Sequence, residues 1–335
     1  MDRDQPHRVL NILERAAGRR ADAFLTLRFP STSRSTFAKW IREGLVKSDD
    51  RTLKPSSVLR HGEILRIWAP GLAPTEGPPP MPPILYEDDW LLVVDKPAGL
   101  LVHPVGQRFA WALIGLVREV RPGVRIDLSH RLDRETSGIV VLTKSEAANR
   151  AMKDAFQARK VKKTYHALVR GVVPWESRTV DSALGHAAGS IVQLRRGPDA
   201  AGESALTEVR VLQRMAEHTL VECQPHTGRT HQIRVHLEIA GFPILGDKLY
   251  GQPDEVFLEL LDSGATDSVR ARVGFPRHAL HAQGLAFPHP HSGQMLKVRA
   301  PLPPDMQAIV DGATPQWGEA AAVEVGEAVA EAEGE

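Results

Sequence analysis

Between Ala69 and Pro83 the chain carries seven of its 25 prolines: Pro70, Pro74, Pro78, Pro79, Pro80, Pro82 and Pro83. Proline has no N–H to give to a helix or a sheet ladder, and its ring fixes φ. The run therefore predicts a stiff, extended spacer that joins no packed element. Folding must happen on either side of it. A chain of 335 residues is long enough for two such parts, at roughly 100 to 200 residues per domain. The expected division is a small domain at 1–68, a proline-rich linker at 69–83, a large domain at 84–306 and a tail at 307–335.

No apolar stretch approaches the ~18 residues of a membrane span, and the first 30 residues alternate arginines with short apolar runs, unlike a secretory signal. Cys223 stands alone, which excludes an internal disulfide framework and a cysteine-built zinc site and fits a reducing compartment. A cytoplasmic location with no membrane partner is expected.

The 42 Lys and Arg residues against 41 Asp and Glu give a formal net charge of +1, an average over two unlike segments. No Lys or Arg follows Arg299, whereas eight acids do: Asp305, Asp311, Glu319, Glu324, Glu327, Glu331, Glu333 and Glu335. Without them 42 basic residues face 33 acidic ones, a body of about +9, and such asymmetry suggests a nucleic-acid partner. From Glu319 onward the tail has no aromatic residue and too little apolar mass to fold alone; disorder or a weak helix is expected there.

In the small domain, Phe37, Trp40 and Ile41 fall at i, i+3 and i+4 after Ser33 to Ser35. This spacing predicts a helix with Arg34, Lys39 and Arg42 off the apolar stripe and Gly44 placed to stop it. Leu45 to Val58 alternates around Asp49 and Asp50, as a small hairpin would, and His61 and Gly62 form a turn before a strand at Glu63 to Trp68. From Arg19 to Arg66 eleven basic residues face five acidic ones. These charges are either merely solvated or a surface for phosphates. The stretch SRSTFAKWIREGLVKSDDRTLKPSSVLRHGEILRIW resembles the S4-type RNA-binding domain, departing from it at SDDRT, where that family more often has an Asn-Gly turn. The resemblance implies that Arg34, Lys39 and Arg42 meet phosphates and weaken as salt rises.

In the large domain Trp90 to Val94 reads as a buried strand ended by Pro97 and Gly99, and Gly138 to Leu142 as another, followed by a helix from Glu146 to Ala158. Alternation in KTYHALV and at Thr219 to Cys223 adds strands. Without regular βαβ repetition the expected class is α+β, with a mixed, mainly antiparallel sheet.

There is no glycine-rich phosphate loop and no serine nucleophile elbow. His226, His231 and His236 recur every five residues, which turns them to different faces, so no metal is expected; His289 and His291 read as solvated turn residues. The densest polar cluster is HRLDRETSG, before the GIVVL strand. Asp133 there, flanked by Arg131 and Arg134, is either a charge-paired loop cap or a nucleophile kept ionised by a guanidinium. A glycosidase pair of Asp133 with Glu135 needs one raised carboxyl, which an arginine-rich surround opposes. In TGRTHQIRVHL, Ile233, Leu237 and Ala240 give a helix one buried face that Gly241 ends, with Arg234 beside it to be drawn under the surface if a carboxylate waits there. Tyr165 lies on a strand beside Lys162 and Lys163. An aromatic platform, an ionised carboxylate and a basic groove are together what an enzyme that extracts a base from RNA requires.

HRLDRETSGIVVLTKS, KKTYHALVRG and TGRTHQIRVHLEIAGFPILGDKLYG, preceded by YEDDWLLVVDKPAGLLVHP and followed by RHALHAQGLAFPHPHSG, resemble the RluA family of RNA pseudouridine synthases over roughly residues 84 to 305. That resemblance implies Asp133 as the catalytic aspartate, Tyr165 as the tyrosine that stacks on a flipped uracil, and Arg234 as the basic partner of the aspartate. Arg131 would hold the flipped-out arrangement, with Arg229 and His231 as nearby support. It further implies an isomerase without cofactor or metal, a monomer, and RNA as partner. With a basic module in front, large-subunit ribosomal RNA is the expected substrate. The rivals are a transfer-RNA modifying member and a non-catalytic RNA-binding or ribosome-assembly factor.

Overall fold

The computed structural model describes residue 6 and residues 8–12, 17–29, 34–68, 79–103, 112–263 and 265–317. The chain divides into two compact units that meet in sequence at Pro79 and Pro80. Residues 69–78 of the proline-rich run lie outside the described residues.

The first unit contains β1 (Arg8–Asn11), α1 (Ala21–Arg28), α2 (Arg34–Arg42), β2 (Val46–Ser48) and β3 (Ile64–Ile67). Its sheet has the order β1-β3-β2, with both pairings antiparallel. The apolar stripe of α2 behaves as its spacing predicts: Phe37 and Ile41 are buried, and Trp40 meets the Phe37 ring edge-on at 5.3 Å. The expected hairpin around Asp49 and Asp50 is different in form. β2 pairs with β3, and the residues between are an irregular loop. Leu53 and Leu59 drop from that loop into the core, which produces an alternation without a strand. The buried carboxylate of Glu63 gathers the loop, accepting from Ser48 Oγ at 2.7 Å, Arg51 Nε at 3.0 Å and the Arg60 N–H at 2.9 Å.

The second unit runs β4 (Ile84–Glu87), β5 (Leu91–Lys96), α3 (Leu113–Val120), β6 (Asp127–Leu128), β7 (Ser137–Thr143), α4 (Glu146–Gln157), β8 (Lys162–Arg170), β9 (Ser177–Asp181), β10 (Leu184–His186), β11 (Arg196–Pro198), β12 (Leu206–Arg214), β13 (His218–Pro225), α5 (Gln232–Ile239), α6 (Asp254–Ser263), α7 (Asp267–Val273), β14 (Leu280–Pro288), β15 (Met295–Arg299) and α8 (Pro304–Val310). Its main sheet has the order β4-β5-β7-β14-β8-β13-β12-β9, with β6 on β7 and β15 on β14. The class is α+β, mixed and mainly antiparallel. The β7 and β14 pair is parallel and short, Ser137 and Gly138 against His281 and Ala282. Beyond it β14 continues with β15, from Gly284 opposite Arg299. The sheet thus forks where β7 begins. β7 is buried along its whole length, as a strand covered on both faces must be, with Met152 of α4 packed on one side and Leu113 and Val117 of α3 on the other.

The boundary expected at 306 is corrected. Met306 and Ile309 of α8 are buried among Val169, Leu245 and Phe275, and Arg277 grips Asp305 through two hydrogen bonds of 2.7 and 2.9 Å. The chain continues in place to Trp317, whose ring lies 5.9 Å from both the Lys248 ammonium and the Arg270 guanidinium. The part of the tail expected to be disordered that extends from 318 to 335 lies outside the described residues.

Candidate active site

Asp133 sits in the loop that delivers the chain to β7, at the fork of the sheet. Several ties fix that loop. Lys96, fully buried at the end of β5, donates to the carbonyls of Pro97, Leu100 and Arg134 at 2.8 to 3.0 Å, and the Gly99 N–H donates to the Arg134 carbonyl at 2.8 Å. Glu135 accepts from Lys248 Nζ at 2.6 Å and from the His278 N–H at 3.0 Å. Thr136 bonds His278 Nε2 at 2.7 Å, and Ser137 bonds His281 Nδ1 at 2.9 Å. Gly138 then passes so close to β14, at φ of 112°, that a Cβ there would strike the Ala282 backbone. Only glycine allows this approach.

Arg234 projects from α5, whose residues from Gln232 to Leu237 are all buried. Its Nε and Nη2 hold Asp247 in a two-pronged pair, at 2.7 and 3.0 Å, and its Nη1 donates to Asp133 Oδ2 at 3.2 Å. Asp247 in turn accepts the N–H groups of Leu249 and Tyr250 at 2.9 and 3.0 Å. The Tyr250 ring lies 4.9 Å from the guanidinium, and its hydroxyl bonds His231 Nδ1 at 2.8 Å. Asp247 is wholly buried, whereas the Asp133 side chain is still 30% exposed. Of the two acids on this arginine, Asp247 anchors it and Asp133 is the one left accessible.

Burial favours the neutral form of Asp133, but its electrostatic contacts with His231, Arg234 and His278, and the Arg234 hydrogen bond, hold the carboxyl below its ordinary value. Burial also pushes His231 down to about 3 and His278 down to about 4, so both rings are neutral at pH 7. The fixed guanidinium is therefore the charge that keeps Asp133 ionised there. Tyr165 comes from β8, partly buried against the core. Opposite it β14 carries a bulge between Ala282 and Gly284, the irregularity that re-aims side chains beside a site. Burial, and then the Asp133 charge, push its hydroxyl up, so it remains protonated. An ionised, half-open carboxylate beside an aromatic ring suits attack on a base or sugar drawn out of a nucleic acid.

Residues 90–239 match the RNA pseudouridylate synthase family. The chain is 37% identical to ribosomal large subunit pseudouridine synthase D of Xanthomonas campestris pv. campestris, over 92% of each chain. It is 35% identical to ribosomal large subunit pseudouridine synthase C of Vibrio cholerae, over 88% of this chain and 92% of the other. The chain belongs to the RluA family of RNA pseudouridine synthases. Among solved structures, human RNA pseudouridylate synthase domain containing 1 matches with a TM-score of 0.54 and 25% identity, over 72% of this chain and all of the other.

In this synthase Asp133, Arg234, His231 and Tyr165 converge as one group. Arg131 is exposed on the same loop. Arg229 is turned elsewhere: its guanidinium is engaged by Glu203 and by the Ser204 carbonyl rather than by Asp133. Arg34, Lys39 and Arg42 belong to the first unit. Arg34 is drawn to Asp22 at 3.2 Å, Lys39 is 3.9 Å from Glu43, and Arg42 is exposed. Of the two expected as solvated turn residues, His291 is exposed in a turn, whereas His289 is partly buried. His289 bonds Asp88 at 2.7 Å and His291 stacks on Trp90 at 4.3 Å, partners some 200 positions away in the chain. The residue that sequence reasoning left without a role is Asp247. Its local signal, a Gly-Asp pair before two N–H groups that it caps, reads as a turn, and its second duty to Arg234 exists only in three dimensions.

Proposed function

We propose that this chain converts specific uridines of large-subunit ribosomal RNA to pseudouridine, with Asp133 as the attacking group. The carboxylate acts on the flipped nucleoside while the N-glycosidic bond breaks; the uracil turns and rejoins the ribose through carbon, losing a proton from that carbon and gaining one on nitrogen. Isomerisation adds no atoms overall. Tyr165 stacks on the base, a contact worth about 1–3 kcal/mol. Arg234, anchored by Asp247, holds Asp133 ionised and in place, and Arg131 and His231 support the bound nucleotide. The observation that carries this reading is the Asp133–Arg234–Asp247 chain, which leaves one acid buried and the other ionised and open. The ribosomal substrate draws support from relatives named as large-subunit synthases along nearly the whole chain. Incubating unmodified ribosomal and transfer RNA transcripts with the protein and mapping pseudouridine chemically tests it. Product confined to large-subunit RNA is expected; product only in transfer RNA overturns the substrate, and none in either overturns the activity.

The first unit is proposed as an S4-type RNA-binding domain, with Lys39 and Arg42 on the exposed side of α2. Reversing both charges in the full chain should weaken RNA binding and flatten its salt dependence by about two phosphate contacts. Unchanged affinity and slope would remove that role.

A further inference from the structure

Lys163 precedes Tyr165 by two residues on β8, so both side chains leave the same face of the strand. Its ammonium donates to the Thr227 carbonyl at 2.8 Å, in the loop that leads to α5 and Arg234. Its charge also acts on the His130 ring, in the loop that leads to Asp133. The two loops that supply Asp133 and Arg234 thus flank this lysine. The buried cations nearest the Asp133 loop have acids: Arg234 has Asp247 and Lys248 has Glu135, while Lys96 is satisfied by three backbone carbonyls. Lys163 is partly buried and makes no ion pair among the described residues. Burial, with no acid to oppose it, pushes the ammonium down to about 8. Thr227 uses one of its three donors, leaving two. The next residue is Gly228, where a Cβ would stand 3.2 Å from Nζ, so the missing side chain keeps the approach to the ammonium open.

We propose that Lys163 is a substrate-binding residue that grips a phosphate of the RNA strand next to the uridine entering the site. A phosphodiester oxygen supplies the anion that the fold withholds, and a point-like ammonium accepts it without a fixed orientation. The contact is made as the strand is threaded and does not change during bond exchange, so it contributes to binding rather than to the chemical step. The inference rests on the RNA activity proposed above.

The test is binding and single-turnover conversion of an unmodified large-subunit ribosomal RNA transcript by the full chain, with Lys163→Met, Lys163→Gln and Lys163→Arg. Both neutral variants should bind about tenfold more weakly at ~0.1 M salt, the scale of one charge-assisted hydrogen bond. The slope of log affinity against log salt should fall by about one. The rate at saturating enzyme should stay within about threefold of the parent, and Lys163→Arg should keep the slope. A neutral variant that melts like the parent but binds with unchanged affinity and slope overturns the proposal, as does a loss confined to the saturated rate. Should the methionine variant fail to fold, the glutamine variant gives the same two readings. If the parent chain binds but forms no pseudouridine, the activity reading fails, while the salt slope still decides for or against Lys163.

Discussion

Asp247 and Asp133 share one arginine yet stand in opposite surroundings, and that difference sets what each substitution does. Asp247→Asn removes the buried partner of a guanidinium whose side chain is 9% exposed. Breaking such a pair from one side costs about 3–5 kcal/mol, because the remaining charge stays buried without its counterpart. The expected outcome is a fall in Tm of roughly 6 to 20 °C, at about 2–4 °C per kcal/mol in a domain of this size, with a lowered turnover as Arg234 loses its anchor. A thermal melt checks it, and an unchanged Tm would show that Arg234 is held by something else. Asp133 and Arg234 were legible in the sequence because each sits in a dense polar cluster. Asp247 was not, since its partner comes from α5 and its own neighbourhood spells only a turn.

Elements were most legible where one physical cause dominates. Ile139 to Leu142 is unbroken β-branched and leucine character, and it lies in a fully buried strand. The helix over Glu146–Gln157 carries its own start signal, with Ser145 accepting the Ala148 N–H at 3.2 Å. The loop before β3 misled because Leu53 and Leu59 mimic a strand while serving as plugs. Helix α8 is not legible as part of the domain in the sequence, because by composition its acids belong with the acidic tail. Yet Met306 is fully buried, and Asp305 belongs to Arg277 rather than to the tail. Ending the chain after Leu302 should therefore lower stability by several kcal/mol, through two lost core side chains and a bereft guanidinium. Ending it after Trp317 should leave the Tm unchanged. Equal melting temperatures for the two truncations would contradict the place given to α8.

For the whole molecule, the same burial that shapes the site sets its response to acid. His130, His278 and His281 are pushed down to about 4 and His231 to about 3, chiefly by burial. An unfolded histidine takes its proton near pH ~6.5, so as pH falls the unfolded chain binds protons the folded chain refuses. Stability is then full above about pH 6.5 and declines toward pH 4. Each histidine contributes a loss on the order of 1.4 kcal/mol for every pH step of one over which only the unfolded chain is protonated. Glu135, held at about 2 with Lys248 opposing its burial, adds its loss only below the ordinary carboxylate range. Denaturant midpoints measured from pH 8 to 4.5 should fall mainly below 6.5; a flat profile to pH 5 would mean that these rings are solvated. The net charge of +1 described none of this, because charge in this protein acts in local sets: a basic first unit, a buried acid–guanidinium chain, and an acidic terminus.

Asp133, kept ionised by Arg234 and open to the substrate, is proposed to make the attack that begins isomerisation. Asp133→Asn keeps the size and much of the hydrogen bonding but removes the nucleophilic charge. Single-turnover reactions with unmodified large-subunit ribosomal RNA, read by chemical mapping of pseudouridine, test that role of Asp133. The parent chain should form product at defined uridines, and Asp133→Asn, folded and still binding RNA, should form none. Product from the asparagine variant at the parent's rate would contradict it.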